Sequence, residues 1–132
     1  MKVFIDTSAF LAVLNRNDTN HAAASQIWMR LINEEATIIS TNYVIIETFA
    51  LIQNRLGLEA VKTFEEDVVP MVQIAWVNQS LHQAGVAALL IANRRKLSLV
   101  DCISFETTRH FGVKKVFAFD QHFSEQGFTC LT

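Results

Sequence analysis

Val3, Phe4 and Ile5 run without interruption into an aspartate, Asp6, at the very start of the sequence. A β-branched and aromatic run with no polar alternation is the mark of a strand buried on both faces, and such strands belong to parallel sheets enclosed by helices. Thr7 and Ser8 follow with hydroxyls able to cap a helix, and Ala9 to Leu14 give that helix its apolar body. A carboxylate therefore ends the first strand. In open parallel sheets ligands bind just outside the carboxyl ends of the strands, so Asp6 stands where chemistry is expected.

The same alternation continues along the chain. Asn15 to Asn20 is a polar turn, and HAAASQIWMRLINEEA is an amphipathic helix with Ile27, Leu31 and Ile32 on its apolar side. Thr37, Ile38 and Ile39 form a second strand. Ser40, Thr41 and Asn42 cap a third helix that runs to about Leu56 and stops at Gly57. LEAVKTFEEDV reads as a fourth helix ended by the only proline, Pro70, with Glu65, Glu66 and Asp67 on its solvated face. Met71 to Val77 is a third strand, and Asn78 to about Lys96 a buried helix whose basic end, Arg94, Arg95 and Lys96, suits its dipole. LVDCISFETTRHF makes a further helix closed by Gly112. VKKVFAFD is a fourth strand ending, like the first, on an aspartate, Asp120, and FTCL is a short fifth. Strands alternating with helices imply one α/β domain over residues 1–132, three layers deep, with a mainly parallel central sheet of four to five strands.

Composition bounds what such a domain does. A chain of 132 residues buries roughly two-thirds of the surface its unfolded form exposes, enough for one core. Hydrophobic residues make up 51%, which is high and leaves apolar surface for a partner to cover. The net charge of -2 is too small to argue for or against nucleic acid. Cys102 and Cys130 each lie in an apolar segment and read as small buried hydrophobes in a reducing cytoplasm. The N-terminus lacks the pattern of a signal peptide, and the longest apolar run, Val86 to Ala92, is too short to span a bilayer. A soluble, cytoplasmic protein with no membrane association is expected.

The most informative feature is where charge is missing. Asp6 is the only charged residue between Lys2 and Arg16, and Glu47 the only one between Glu35 and Arg55. Asp101 stands alone between Lys96 and Glu106, and Asp120 between Lys115 and Glu125. A carboxylate buried singly costs several kcal/mol or takes up a proton, and no cation close in sequence compensates any of these four. For Asp6 or Asp101 taken alone, a helix N-cap is an equally good account. Glu47 is in mid-helix, with Tyr43, Ala50 and Leu51 on the adjacent turns, where a cap does not explain it. If the fold gathers all four at the carboxyl edge of the sheet, a divalent cation relieves their repulsion, and an all-oxygen set favours Mg²⁺ or Mn²⁺ over zinc. The four histidines, His21, His82, His110 and His122, lack zinc spacing and read as surface or packing residues.

Taken together, these residues resemble the PIN-domain family, and most closely its VapC-like ribonuclease toxins of toxin-antitoxin pairs. The similarity runs through FIDTSAFLAVL, Asp18 and His21 at the second helix, Glu47 within YVIIETFALI, the long segment LSLVDCISFETTRHFGVKKVFAFDQHF, and the closing GF. The resemblance implies that Asp6, Glu47, Asp101 and Asp120 bind Mg²⁺ or Mn²⁺, with Ser8 and Ser104 supporting them. It also implies an RNA substrate, a cognate antitoxin whose tail lies across the groove, and a homodimer.

A carboxylate-held cation can activate water for in-line attack on a phosphodiester, which predicts 5′-phosphate and 3′-hydroxyl ends and needs no side-chain nucleophile. No Ser/His/Asp or Cys/His arrangement competes with this. Arg94, Arg95, Lys96, Arg109, Lys114 and Lys115 are the candidates for phosphate contact, and Phe10, Tyr43 or Phe123 for base stacking, unless those aromatics are core. Two other readings stay open on the residues alone. An Asp-nucleophile phosphotransferase also carries an Asp after its first strand, but a second acid two residues on is typical and this chain has Ser8. A catalytically silent module could use the acids only to dock a basic partner segment.

Overall fold

The computed structural model describes all 132 residues. Five parallel strands, β1 (Lys2–Ile5), β2 (Thr37–Thr41), β3 (Gln73–Ala75), β4 (Lys115–Phe117) and β5 (Thr129–Cys130), lie in the order β3-β2-β1-β4-β5. Val3, Phe4 and Ile5 are fully buried although successive side chains of a strand point to opposite faces, so both faces of the sheet are covered. The chain winds outward from β1 through β2 to β3, then returns to the other side of β1 for β4 and β5. That reversal falls between β1 and β4, whose register pairs Phe4 with Val116 and Ile5 with Phe117. It is the topological switch point at which open sheets bind ligands.

The helices are α1 (Thr7–Leu14), α2 (His21–Asn33), α3 (Asn42–Leu56), α4 (Leu58–Thr63), α5 (Gln79–Ala92), α6 (Leu99–His110) and the single turn α7 (His122–Glu125). Their starts follow local chemistry. Asp6, Thr41, Asn78 and Ser98 each accept a backbone N–H in the first turn of α1, α3, α5 and α6. Gly57, at φ 91°, lets the chain leave α3 through a conformation that a Cβ would disfavour.

Two expectations are corrected. LEAVKTFEEDV is not one α-helix: after Thr63 the backbone widens to a π-turn over Phe64–Val68 and tightens to a 3₁₀ turn over Val69–Met71. Pro70 offers no N–H to the carbonyl four residues back, and Val69 donates instead to Phe64, five residues back. The register keeps Phe64 fully buried, edge-on to Phe10 and Phe49 at ring separations of 5.2 and 4.9 Å, with Glu65, Glu66 and Asp67 in solvent.

The second correction concerns α5. It ends at Ala92, before the basic residues, with Asn93 in the left-handed conformation, and it is not buried. Only Gly85 is buried along it, while Leu90 and Ile91 are 73% and 84% exposed. Gly85 is where α5 meets α6: an added Cβ would come within 2.2 Å of Cδ1 of Ile103, itself fully buried, so the glycine is there for close approach. A narrow seam replaces the broad apolar face that the run of residues suggested.

Candidate metal centre

Asp6 leaves the end of β1 with its backbone N–H still on the ladder, donating to the Phe117 carbonyl at 3.1 Å. Its carboxylate turns back to cap α1, accepting the Ser8 N–H at 3.2 Å and the Ser8 hydroxyl at 2.8 Å. Ser8 Oγ in turn accepts the Phe119 N–H at 2.9 Å. One hydroxyl thereby ties the carboxyl end of β1 to the segment leaving β4, the segment that carries Asp120. Asp101 arrives from α6. It forms a reciprocal cap with Ser98, accepting the Ser98 N–H at 3.1 Å while Ser98 Oγ accepts the Asp101 N–H at 3.0 Å. Asp120 Oδ1 accepts the His122 N–H at 2.9 Å, which closes the turn into α7.

Asp101, Asp120 and His122 each offer one ligand atom, and these atoms all lie within 4.8 Å of one another. Asp6 borders this group. Burial pushes its carboxyl up from 3.8 to about 6, Ser8 works against that rise, and the negative charges of Asp101 and Asp120 add to it. Asp101 is raised in the same direction, first by burial and further by Asp120, against the hydrogen bonds from Ser98 and the nearness of His122. No lysine or arginine pairs with Asp6, Asp101 or Asp120. The donor set fits a divalent cation: carboxylates held at close quarters in partly buried surroundings, with no lysine or arginine to balance them.

Glu47 stands apart from this tight group. It is half-buried on α3, next to Thr48, whose buried hydroxyl meets Thr7 Oγ1 at 3.2 Å and so lays α3 against the start of α1. Its expected surroundings also differ, since Tyr43 and Leu51 are only half-buried and Ala50 is exposed. Ser8 does support the cluster. Ser104 does not, because its hydroxyl donates to the Val100 carbonyl within its own helix at 2.8 Å.

His122, read from the sequence as a surface or packing residue, joins the two aspartates, because the turn after β4 folds it back over Asp120. Its side chain is only 13% exposed. The available signal was its position two residues after a strand-ending aspartate; a search for paired histidines passes over it. Two of the other histidines have hydrogen-bond partners elsewhere. His21 Nδ1 meets the Ala12 carbonyl at 2.7 Å, and His82 Nδ1 meets the Tyr43 hydroxyl at 2.5 Å.

The basic candidates divide by strand direction. Lys114 precedes β4 and Lys115 opens it, and both cluster with Met1 and Lys2 at the amino edge of the sheet, opposite the carboxylates, so they leave the list of substrate contacts. Arg109 is two helical turns beyond Asp101, about 12 Å along the axis, and bonds Gln126 at 2.8 Å while lying over the Phe128 ring. Arg94 pairs with Glu125 at 3.1 Å, and Arg95 and Lys96 are exposed beside it. Phe10 and Phe123 are fully buried core residues with no face free for a base.

A PIN-domain profile matches residues 3–128, nearly the whole chain. The chain belongs to the PIN-domain family. Within it, the chain is 30% identical over 127 residues to the 23S rRNA-specific endonuclease VapC20 of Mycobacterium tuberculosis, covering 96% of this chain and 95% of that one. The crystal structure of VapC20, a sarcin-ricin loop cleaving toxin, superposes with a TM-score of 0.86 at 29% identity over 96% of each chain. More distant PIN-like folds are found in FitAcB from Neisseria gonorrhoeae, with a TM-score of 0.69 at 12% identity over 100% of this chain and 97% of that one. VapBC2 from Rickettsia felis, crystallised on a promoter DNA fragment, has a TM-score of 0.70 at 9% identity over 99% and 98%. At those identities the likeness is one of fold.

The raised Asp6 carboxyl gives a signed prediction for the cation-free protein in EDTA. Its folded value, about 6, lies above its unfolded value, so the folded state binds more protons and stability falls as pH rises from about 4 to about 6. The loss from this group alone is on the order of 3 kcal/mol, complete above pH 6. Urea midpoints should drop over that window in EDTA, and Asp6→Asn, which keeps a capping side chain, should flatten the drop. Equal midpoints at pH 4.5 and pH 7 in the wild type would contradict the burial of an uncompensated charge.

Proposed function

We propose that the chain is a divalent-cation-dependent endoribonuclease that acts as the toxin of a toxin-antitoxin pair. The observation that carries this reading is the convergence of Asp6, Asp101 and Asp120 at the switch point between β1 and β4 with no lysine or arginine paired to them. Glu47 completes the proposed acidic set from the neighbouring helix α3, with Mg²⁺ or Mn²⁺ as the cation. Similarity to VapC20 over nearly the full length of both chains supports RNA as the substrate.

Each residue has a task that follows from its place. Asp6 and Asp101 are held by Ser8 and Ser98, so their oxygens point into the site without rotamer freedom to lose when a cation and a phosphate arrive. Ser8 also fixes the distance between the ends of β1 and β4 through Phe119. Asp120 is set by the turn into α7. When bound, the cation supplies an activated water and neutralises charge building on the phosphodiester, leaving 5′-phosphate and 3′-hydroxyl ends. Arg94, Arg95 and Lys96 precede α6, whose first turn carries Asp101, and are the proposed phosphate contacts.

The exposed apolar side chains support protein partners. Leu90 and Ile91, consecutive residues in the last turn of α5, are each more than two-thirds exposed and form an apolar surface at that end of the helix. We assign this surface to a homodimer, and the carboxylate groove to the tail of a cognate antitoxin, where an Arg or Lys takes the place of the cation. No helix is long and apolar enough to cross a membrane, and the free Cys102 and Cys130 are compatible with a reducing cytoplasm.

On RNA substrates that include a 23S rRNA stem-loop, Asp6→Asn and Asp101→Asn should each lower cleavage by at least 10³-fold, the size of a lost cation or charge-stabilising group. EDTA should stop the wild type, Mg²⁺ or Mn²⁺ should restore it, and zinc should restore it poorly. Wild-type rates in either variant, or full activity in EDTA, would remove the site.

Sedimentation of the purified chain should give a dimer at micromolar concentration. Co-expression with the product of the adjacent gene should give a larger complex that no longer cuts RNA. A monomer would refute the dimer, and undiminished cleavage in the complex would refute the inhibitory tail.

A further inference from the structure

Resting on the reading that these carboxylates hold a divalent cation, we propose that His122 is a nitrogen ligand to that cation through Nε2, with Glu125 orienting the ring through Nδ1. The centre is then a mixed oxygen and nitrogen site, unlike the all-oxygen set expected from the four acids, and it discriminates in favour of Mn²⁺ over Mg²⁺.

The two ring nitrogens have different surroundings. Nε2 is 3.6 Å from Asp120 Oδ1, on the side of the ring where the ligand atoms of Asp101, Asp120 and His122 lie within 4.8 Å of one another. Two ligands on opposite sides of one ion, at roughly 2.1 Å each, stand about 4.2 Å apart, so small side-chain adjustments bring all three onto a single cation. Nδ1 is shielded from solvent and has no hydrogen-bond partner. It sits 3.7 Å from Glu125 Oε2, just beyond a hydrogen bond, and that carboxylate is anchored from the far side by Arg94 Nη1 at 3.1 Å.

Between the two neutral tautomers, only the one with its proton on Nδ1 suits these surroundings, and a cation reaches that neutral ring by displacing the second proton of the charged form. If Nε2 carried the only ring proton and merely paired with Asp120, the bare Nδ1 lone pair would face the Glu125 carboxylate, acceptor against acceptor. With the proton on Nδ1, that nitrogen donates to Glu125 and the Nε2 lone pair is free for the cation. A carboxylate holding the far nitrogen of a ligating imidazole is the usual outer support of a metal-bound histidine. Arg94, read above as a phosphate contact, gains a second task as the anchor of this chain of contacts. Imidazole is a softer donor than carboxylate or water and suits Mn²⁺ better than Mg²⁺, which retains its waters.

The test uses Mn²⁺ as the probe and does not depend on activity. Electron spin echo envelope modulation of the Mn²⁺-loaded wild type should show coupling to ¹⁴N, and His122→Asn should abolish it while Mn²⁺ remains bound to the aspartates. Glu125→Gln should weaken Mn²⁺ binding about tenfold, the usual scale for loss of such a support. His122→Asn should weaken Mn²⁺ binding more than it weakens Mg²⁺ binding. Bound Mn²⁺ without ¹⁴N coupling in the wild type overturns the histidine ligand and leaves the cation site standing, and so does coupling that persists in His122→Asn. Failure of the wild type to bind Mn²⁺, read from the undiminished signal of the free ion, overturns both. The wild-type spectrum decides the matter even if His122→Asn does not fold.

Discussion

Burial of carboxylates, with their mutual repulsion added to it, is the constraint on which the rest of this structure depends. Asp6, Asp101 and Asp120 come from a strand end, the first turn of a helix and a tight turn, and each is fixed by hydrogen bonds made within two or three residues. The local chemistry therefore holds the charges in place whether or not anything balances them, and burial raises the cost. Ser8 matters most among the uncharged residues, because it binds Asp6 and Phe119 at once and keeps the ends of β1 and β4 from spreading. That burial and proximity set the cost that a cation bound at the proposed site would offset.

Parallel strand order turns a local property into a site. β1 and β4 are distant in sequence, yet they are neighbours because the chain winds outward to β3 and then returns to the opposite side of β1. Every strand runs the same way, so residues that follow a strand gather at one edge and residues that precede one gather at the other. The carboxylates take the first edge. Lys2, Lys114 and Lys115 take the second, so these three cations cannot neutralise the cluster, while Arg94, on the carboxylate side, is taken up by Glu125.

Much of this was legible in the sequence. Asp6 is marked by its place at the end of an apolar strand and Asp101 by the absence of other charge in its segment, whereas Asp120, expected to end the fourth strand, lies three residues beyond Phe117, the last residue of β4, in the turn toward α7. The misreadings involve properties that depend on partners distant in the chain. The apolar run of α5 looked buried, but its only deep contact is the approach of Gly85 to Ile103, and Leu90 and Ile91 are left outside. The π-turn at Phe64 answers to Phe10 and Phe49 and to Pro70, which no helical periodicity encodes. Glu47, isolated in sequence by the same charge criterion, lies like Asp6 outside the 4.8 Å group and stays in the proposed acidic set as a contribution from α3. His122 carries no zinc-type spacing to another histidine, and its neighbours in the fold are the acids Asp101 and Asp120.

The central claim is that the edge between β1 and β4 is a cation site, and anomalous diffraction from crystals equilibrated with Mn²⁺ tests it most directly. The account predicts one dominant Mn²⁺ peak within bonding distance of carboxylate oxygens of Asp101 and Asp120, with Asp6 beside it. A strong peak elsewhere on the molecule and none at this edge, in crystals where the edge is open to solvent, would contradict it.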